Sequence, residues 1–512
     1  RRFGGTLYKR TAFAGATTGQ QLLYALDEQV RRQETEGNVR KFEFWDFLGP
    51  IQDETGRCRG VVAQDMVSME IKAFPADAVV VATGGCGLIY GRSTMSVFCT
   101  GSAASRCFQN GAKYANAEFI QVHPTAIPGA DKLRLMSESA RGEGGRVWVP
   151  RTPQDSRGPR DIPEADRYYF LEERYPEYGN LVPRDIATRE IFDICVNEGL
   201  SVDEPMKIFP AVHYSMGGLW ADYVKSEDGG LEAGAPRNHM TSIDGLYAIG
   251  ECDYHYHGAN RLGANSLLSC IFTGLFTGSS IMNYSASQKS GADDVPQSLL
   301  DSAVKAQQDR HDHLLNGNAG SDENPYLIHQ ELGDLMTRVA TVVRRNDQLE
   351  EAIKKVDELH ERAMKVSLAD TGSWTNQNVI FAKSLQDMFP LAKALLKGAL
   401  QRDECRGAHF KPDFKKPSLT SEDPVERRRQ AEAWCDEFEA NNEKYLKTTV
   451  ATWNATTNQP DLAYEDVDTS LIPPRPRLYG LVGAEAIEEV WNERAAKKLA
   501  QSKSGTGLVG AN

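Results

Sequence analysis

The chain has 512 residues, 40% of them hydrophobic and 25% charged, and a formal net charge of −13 at pH 7. This length is too great for one hydrophobic core and predicts two to four domains of a soluble globular protein. The negative charge argues against direct binding to nucleic acid or anionic lipid, and no apolar run approaches the ~20 residues of a membrane-spanning helix. Nine scattered cysteines without a Cys-x-x-Cys pair argue against a disulfide framework, an iron–sulfur cluster or a structural zinc site, so reduced thiols and no metal are expected.

The first part of the chain predicts a helix followed by strands. Thr17 or Thr18 is a suitable cap for a helix with apolar positions at helical spacing. Strands are then predicted over residues 42–48, 60–64 and 76–82. The last of these runs into Gly84 and Gly85, where the backbone could pass close to a nucleotide or a flavin. A buried strand with an ordinary glycine turn is the alternative.

A histidine follows the next predicted strand. Residues 97–117 have a helical pattern, and a strand over residues 118–122 leads to His123. Pro124 is expected to end this strand and to fix the backbone beside the histidine. The polar, glycine-rich run over residues 137–145 indicates either a ligand-facing turn or a solvated charged one.

Two further segments repeat the placement of a nitrogen-bearing side chain beside a proline or glycines. A helix is predicted to begin near Pro183, which puts Arg184 in a first turn where the helix dipole does not favour a cation. Such an arginine is either positioned for chemistry or merely exposed. Residues 209–218 read as a strand, then His213, then glycines.

The glycine-rich stretch after a short buried strand that ends at Gly250 is the centre of the binding prediction. Glu251 lies at the carboxyl end of that strand, where open α/β sheets bind ligands. Arg261 in the following loop could clamp a carboxylate through two parallel hydrogen bonds. Asn265 and Ser266 are predicted to cap the next helix. An ordinary strand-to-helix crossover with a surface arginine is the alternative.

The character of the chain changes after residue 285. Amphipathic helices are predicted over residues 297–314, 328–344, 346–367 and 377–402. Residues 411–445 are highly charged and predict a solvated helix and linker. The helical histidines His311, His313, His329 and His360 are expected to be solvated.

His123, His213, Arg184 and Arg261 come from separate segments, and each lies beside glycines or prolines. Together, on an acidic chain, they predict a pocket that concentrates positive charge for a small dianion.

These residues, in this order, resemble the flavoprotein subunit of the succinate dehydrogenase and fumarate reductase family. The matching phrases lie at residues 82–85, 121–125, 137–145, 183–185, 213–218, 245–251, 257–268, 405–409 and 464–477. The likeness covers nearly the whole chain and is greatest to the menaquinone-linked succinate dehydrogenases of Gram-positive and related bacteria.

The resemblance implies an α/β fold (α+β overall), with a bipartite Rossmann-like FAD-binding domain and an inserted capping domain. A helical domain and a C-terminal domain would follow. The implied boundaries are 1–117 and 214–285 for the FAD-binding domain, 118–213 for the capping domain, 286–410 for the helical domain and 411–512 for the C-terminal domain.

The resemblance also implies residue roles. The substrate carboxylates would be held by His123, Ser137, His213 and Arg261, with Phe3 in the same pocket. Arg184 would exchange a proton with a substrate carbon, relayed through Glu138 and Arg141. FAD would contact Gly84, Gly85, Glu251, Asn265, Ser266 and Leu267.

Several features depart from the family pattern. The strand and Gly-x-Gly-x-x-Gly loop that take the FAD pyrophosphate do not precede the matched phrases. No histidine precedes His123, so a covalent flavin link is not possible within the residues shown. Ser102 stands where the family commonly has Asp, and Ser137 replaces a usual threonine but keeps the hydroxyl.

The expected activity is oxidation of succinate to fumarate with hydride transfer to FAD. The resemblance implies an iron–sulfur subunit as electron acceptor and membrane anchor subunits bound through it. It places the chain peripherally at the cytoplasmic face of the bacterial inner (plasma) membrane, without direct insertion. The alternatives are a quinol-driven fumarate reductase, an L-aspartate oxidase and a non-catalytic flavoprotein-like scaffold.

Overall fold

The computed structural model describes residues 2–5, 8–127, 129, 133–198, 208–318 and 320–505, with side chains described as far as residue 498. The helices are α1 Thr18–Thr35, α2 Ser102–Gln109, α3 Glu138–Gly142, α4 Phe170–Arg174, α5 Arg184–Phe192, α6 Asn265–Ser287, α7 Gln297–Asp312, α8 Pro325–Val339, α9 Asn346–Ala363, α10 Gln377–Gln401, α11 Pro424–Tyr445 and α12 Ala484–Gly505. The strands are β1 Trp45–Gln52, β2 Cys58–Asp65, β3 Ile71–Pro75, β4 Val79–Val81, β5 Tyr114–Ala115, β6 Ile120–Ile127, β7 Arg134–Leu135, β8 Val149–Pro150, β9 Arg167–Tyr168, β10 Phe209–Ser215, β11 Gly218–Leu219, β12 Leu246–Ala248, β13 Lys447–Asn454 and β14 Gln459–Asp466.

The strands form several small sheets. β1, β2 and β3 make an antiparallel meander whose first hairpin turns at Asp53 to Gly56. β10 pairs with β6 and β6 with β7, while β8 pairs with β9. The C-terminal hairpin of β13 and β14 adds to β5 and β11, so strands more than 200 residues apart in the chain share one sheet.

Two strand pairs position the site. β4 and β12 are parallel, so their carboxyl ends meet and bring Gly84 and Gly85 next to Glu251. β6 and β10 are antiparallel, with His123 opposite Ala211. That register sets His213 close to His123 at the same edge.

The largest hydrophobic cluster surrounds α10. Its side chains are buried almost without interruption from Ala382 to Ala399, including Lys383, Asp387 and Lys393, so α10 lacks the solvent-facing side that the amphipathic prediction implied. α10 packs against α8, α9 and α2. This core supports the sheets that carry the site.

Tertiary contacts overrode several local predictions. Only Ser102–Gln109 of the expected helix over 97–117 is helical. Pro124 lies inside β6 rather than ending it, because the β6–β10 register shifts between His123 and Ala126 and an irregular ladder tolerates a proline.

The structure also contradicts predictions about individual side chains, namely two helix caps and the exposure of two histidines. Asn265 and Ser266 are the first residues of α6, and Ala264 with φ 69° is its N-cap, so neither side chain caps the helix. His311 and His360 are buried. His311 lies against Gln64 of β2 and Lys383 of α10, and His360 stacks on Phe389 of α10. The charged α11 is solvated on one side only, since Ala431, Trp434 and Cys435 are buried in a cluster with residues of α12.

Candidate functional site

Six charged or aromatic-nitrogen side chains converge on one pocket. β6 supplies His123, β10 His213, α3 Glu138 and Arg141, α5 Arg184, and the loop before α6 Arg261. All are buried except His213, which is partly buried. The four residues that the sequence predicted to share a pocket are therefore joined by a carboxylate and a third arginine.

Glu138 organises two of the arginines. Its Oε2 accepts hydrogen bonds from Arg184 Nη2 at 2.7 Å and Nε at 3.1 Å, and its Oε1 accepts from Arg141 Nη2 at 3.2 Å. The backbone N–H of Gly4 adds a bond of 3.1 Å to Oε1. Burial alone would raise the pKa of Glu138, but the charges of Arg184 and Arg141 outweigh it and hold this pKa below its usual value. The carboxylate is therefore ionised.

The two histidines are neutral and present a donor to the pocket. Burial and the charge of Arg184 hold the pKa of His123 and of His213 well below the usual range. His123 Nδ1 accepts from the backbone N–H of Thr125 at 3.2 Å, which leaves the ring proton on Nε2. Among the described residues, that buried Nε2 has no hydrogen-bond partner. A carboxylate oxygen is the complementary acceptor.

His213 lies beside His123 in the pocket. Its ring centroid lies 4.9 Å from that of His123. Its Nδ1 lies 2.7 Å from the hydroxyl of Thr94. The Thr94 hydroxyl also lies 3.3 Å from the carbonyl of Val212. When its one proton goes to His213 Nδ1, the shorter of the two contacts, the His213 proton is on Nε2 and is available to a ligand.

Arg261 completes the ring of positive charge. The side chain is buried, lies 4.6 Å over the ring of Tyr214 and donates from Nη1 to Ser266 Oγ at 3.1 Å. Its Nε finds no hydrogen-bond partner within the described part of the chain. Burial and the neighbouring Arg184 lower the pKa of Arg261. Leaving a buried donor unpaired costs about 1–3 kcal/mol, so an anion that accepts from this arginine recovers that cost.

Ser137 and Phe3 lie at the border of the pocket. Ser137 is the N-cap of α3, where its hydroxyl accepts from the N–H of Ser139 at 3.2 Å. Its side chain is exposed on the open side. Phe3 packs on Gly263, because a Cβ at that glycine would lie 2.7 Å from the Phe3 Cβ. The segment around Phe3 therefore covers one side of the pocket.

The predicted cofactor residues form an adjoining surface. A Cβ on Gly85 would lie 2.5 Å from Glu251 Oε1, so only glycine fits there. Glu251 Oε1 accepts from the N–H of Ser215 at 2.9 Å, and burial raises the pKa of Glu251 to about 7. Gly84 has φ 75°, and a Cβ there would meet Cys99 Sγ at 3.8 Å, an ordinary van der Waals contact. This cradle suits the close approach of a flavin.

The start of α6 connects the cofactor surface to the pocket. Asn265, Ser266 and Leu267 form its first turn, and Leu267 is 43% exposed. Ser266 accepts the hydrogen bond from Arg261, so one short segment reaches both surfaces. An apolar side chain beside backbone N–H groups fits a ring system that carries polar edges.

Sequence reasoning missed three residues that support the pocket. Thr94 orients His213, and Tyr214 supports Arg261. Gln121 lies in a matched phrase, but no role was assigned to it, although its amide bonds to Arg184. Its place in that phrase, on the strand that leads to His123, was the available signal for Gln121, and the sequence offered no signal for Thr94.

Two classes of feature are missing from the part of the chain that the structure describes. It holds no cluster of three or more His, Cys, Asp or Glu side chains arranged for a metal ion. Neither does it contain a helix with the length and apolar character needed to cross a membrane.

Comparisons with known proteins agree with this geometry. A family model described as "FAD binding domain" matches residues 1–205 and 188–267, and one described as "Fumarate reductase flavoprotein C-term" matches residues 329–479. The succinate dehydrogenase flavoprotein subunit of Bacillus subtilis is 47% identical over 94% of this chain and 80% of its own length. The fumarate reductase flavoprotein subunit of Escherichia coli is 30% identical over 94% of this chain and 78% of its own.

A solved structure extends the agreement to three dimensions. A chain of Escherichia coli quinol fumarate reductase superimposes with a TM-score of 0.76 at 27% identity, over 94% of this chain and 80% of that one.

Proposed function

Because the chain belongs to the family of succinate dehydrogenase and fumarate reductase flavoprotein subunits and carries an FAD-binding domain, we propose that it oxidises succinate to fumarate. The supporting observation is the charge of the pocket. Arg141, Arg184 and Arg261 bring three positive charges against Glu138, and the second carboxyl nearby, Glu251, has its pKa raised by burial to about 7. A small dianion with two carboxylates is the ligand that balances such an excess.

The substrate carboxylates are held by donors whose protons already point into the pocket. His123 Nε2 and Arg261 Nε are buried and lack partners within the described residues. His213 and the hydroxyl of Ser137 complete the set. Holding both carboxylates fixes the two carbons between them and keeps water away from them.

Arg184 is the group that takes a proton from a substrate carbon. An arginine is a weak base because its pKa lies above ~12 in water. Here the guanidinium is desolvated and lies against Glu138, whose other oxygen contacts Arg141. Arg141 Nη1 in turn donates to the carbonyl of Asn180 at 2.9 Å. This continuous path allows the proton to leave through Glu138 and Arg141.

FAD accepts the hydride from the neighbouring carbon when it is bound. Gly84, Gly85, Glu251, Asn265, Ser266 and Leu267 would hold it. The glycine cradle and the exposed first turn of α6 fit that role.

Electrons would then pass to an iron–sulfur subunit, with membrane anchor subunits bound through it and menaquinone as final acceptor. The chain would lie peripherally at the cytoplasmic face of the bacterial membrane. Support comes from the solved relative, whose title names a quinol fumarate reductase. The same pocket run in the opposite direction would reduce fumarate, and the Escherichia coli relative carries that name.

Anaerobic titration of the flavin-loaded protein with succinate tests the proposal. Succinate should bleach the flavin absorption band and L-aspartate should not. Bleaching by aspartate instead would identify an L-aspartate oxidase. A flavin band that neither compound bleaches would overturn the dehydrogenase assignment in favour of a non-catalytic role.

A further inference from the structure

Gln121 connects the two arginines on opposite sides of the pocket. It lies on β6, two residues before His123, and its side chain is 1% exposed. Its Oε1 accepts from Arg184 Nη1 at 3.0 Å. Its Nε2 donates to the carbonyl of Arg261 at 2.7 Å and to Asn260 Oδ1 at 3.1 Å.

The hydrogen bonds continue beyond Gln121. Asn260 Nδ2 donates to Asp185 Oδ1 at 2.8 Å. Asp185 is the next residue after Arg184, so the contacts return to their starting point through one peptide bond. The closed ring consists of Arg184, Gln121, Asn260 and Asp185, and we refer to it as the amide ring.

The chemistry of its ends sets the direction of every bond in the amide ring. An arginine can only donate, so the Gln121 oxygen must face Arg184 and the nitrogen must face Asn260. An ionised aspartate can only accept, so the Asn260 nitrogen must face Asp185. Burial would raise the pKa of Asp185, but Arg477 and Arg189 hold it below its usual value. Neither amide can turn over without placing two donors or two acceptors together.

Arg477 anchors the amide ring to a distant part of the chain. Its Nη1 and Nη2 donate to the two oxygens of Asp185 at 2.9 and 3.1 Å. Arg189, one turn along α5, also pairs with Asp185. Asp185 is 6% exposed, so this bidentate pair is shielded on its aspartate side and its geometry is well defined.

We propose that Gln121 is a positioning residue that fixes the guanidinium of Arg184 relative to Arg261, a role that rests on the proposed function of these two arginines. Glu138 holds the Nε edge of Arg184, and Gln121 holds the remaining nitrogen. The same amide fixes the backbone that carries Arg261. The proton-abstracting group and the carboxylate clamp therefore share one rigid spacer.

A neutral spacer suits this position. Arg184 and Arg261 carry like charges and repel each other at close range. A carboxylate at Gln121 would also compete with Glu138 for Arg184, and an apolar side chain would leave Arg184 Nη1 without an acceptor. The amide restrains the guanidinium without adding charge to the proton path.

The test is Gln121→Met in the flavin-loaded protein, with Gln64→Met as the matched control. Gln64 is also a buried glutamine whose amide bonds to a backbone carbonyl and to a cation, Met69 O at 2.8 Å and Lys383 Nζ at 2.8 Å, but it lies on β2 outside the pocket. The measurements are kcat and KM for succinate, the Kd of malonate and the melting temperature. The kinetic isotope effect with deuterated succinate reports on removal of hydrogen from carbon.

Gln121→Met is expected to lower kcat by about 10- to 100-fold, because a displacement of about 1 Å can cost 10²-fold. The isotope effect should rise, while the Kd of malonate should stay within about threefold. Gln64→Met should lower the melting temperature about as much as Gln121→Met does, but it should leave kcat and the isotope effect unchanged. Unchanged kcat in Gln121→Met, or equal losses in kcat for both variants, would overturn the positioning role.

Two safeguards keep the outcomes separate. If Gln121→Met does not fold, Gln121→Asn keeps a neutral amide but is one methylene too short to hold Arg184, and the same split is expected. If the unsubstituted protein does not oxidise succinate, the proposed reaction is wrong. A crystal structure of the variant then decides the positioning role, which fails if the Arg184 guanidinium has not moved.

Discussion

Two buried arginines of this chain have similar packing and opposite hydrogen-bond states. Arg261 lies 4.6 Å over the ring of Tyr214 in the pocket, and Arg402 lies 4.9 Å over the ring of Phe119 in the interior. Both are almost completely removed from solvent. They differ in how many of their N–H groups find partners.

Arg402 uses all five of its N–H groups. They donate to Glu118 Oε1 at 2.8 Å, Glu404 Oε1 at 2.9 Å, Tyr445 O at 2.6 Å, Lys447 O at 3.0 Å and Thr449 Oγ1 at 2.7 Å. The two carboxylates, Glu118 and Glu404, balance the charges of two arginines, because Glu404 also pairs with Arg406. This network joins the end of α10 to β13 and leaves no capacity for a ligand on Arg402.

Arg261 is the reverse case. Its Nε is without a partner among the described residues, and its nearest charged neighbours include another arginine. Burying an unbalanced cation is costly, and a fold tolerates it where a ligand supplies the missing charge. The comparison teaches that burial of arginine does not identify the site here. Arg261 is marked by a donor unpaired within the described residues together with a second arginine beside it.

Arg184→Lys should have the largest effect. Lysine cannot reproduce the two bonds to Glu138 and the bond to Gln121. We expect kcat to fall by about 10³-fold or more, within the range for loss of an acid–base group. The Kd of malonate should change little, because lysine keeps the charge. Steady-state kinetics and malonate titration of the flavin check this, with the half-exposed Arg174→Lys as control. Activity near that of the unsubstituted protein would remove Arg184 from the proton transfer.

Arg402→Met should act on stability and not selectively on the pocket. It leaves Glu118 and Glu404 buried with fewer partners, which costs about 3–5 kcal/mol for a broken buried ion pair. Urea unfolding should show that loss as a lower midpoint. Surviving folded enzyme should bind malonate normally. A stability loss below about 1 kcal/mol would show that the Arg402 network is not structural.

Arg261→Ala should have the opposite effect to Arg402→Met, with weaker malonate binding and little change in stability. The Kd of malonate is expected to rise about 10- to 100-fold, as for loss of a charge-assisted pair worth about 1.5–3 kcal/mol. Stability should change little, because the substitution removes a desolvated charge that faces Arg184. Malonate titration and urea unfolding are compared on the same preparation. Unchanged malonate affinity would show that Arg261 does not clamp a carboxylate.

Thr94→Val should have the smallest effect. Without the hydroxyl, nothing selects the His213 form with its proton on Nε2, so part of the population presents no donor to the substrate. We expect KM for succinate to rise about threefold to tenfold, as for one neutral hydrogen bond of about 1 kcal/mol. Thr94→Ser keeps the hydroxyl and should restore KM. If serine and valine behave alike, Thr94 does not orient His213.

Much of the site could be predicted from the sequence, because short segments carry their own chemistry. His123, Arg184, His213 and Arg261 each lie beside prolines or glycines that set the local backbone, and the structure brings all four together. Their residue types alone indicated a dianion pocket. Helix periodicity likewise located α7 to α10 with small errors at the ends.

The sequence by itself determined the family, the four pocket residues and the helical segments, because each is encoded within a short stretch. Only the tertiary structure decided how the pocket is held. Gln121 lies 63 residues from Arg184 and 139 from Asn260, so no local pattern shows that their amide and guanidinium groups meet. The prediction that His311 and His360 are exposed was wrong for the same reason, since burial depends on which element covers each helix face. Local sequence specifies which groups are available, and long-range packing specifies their partners.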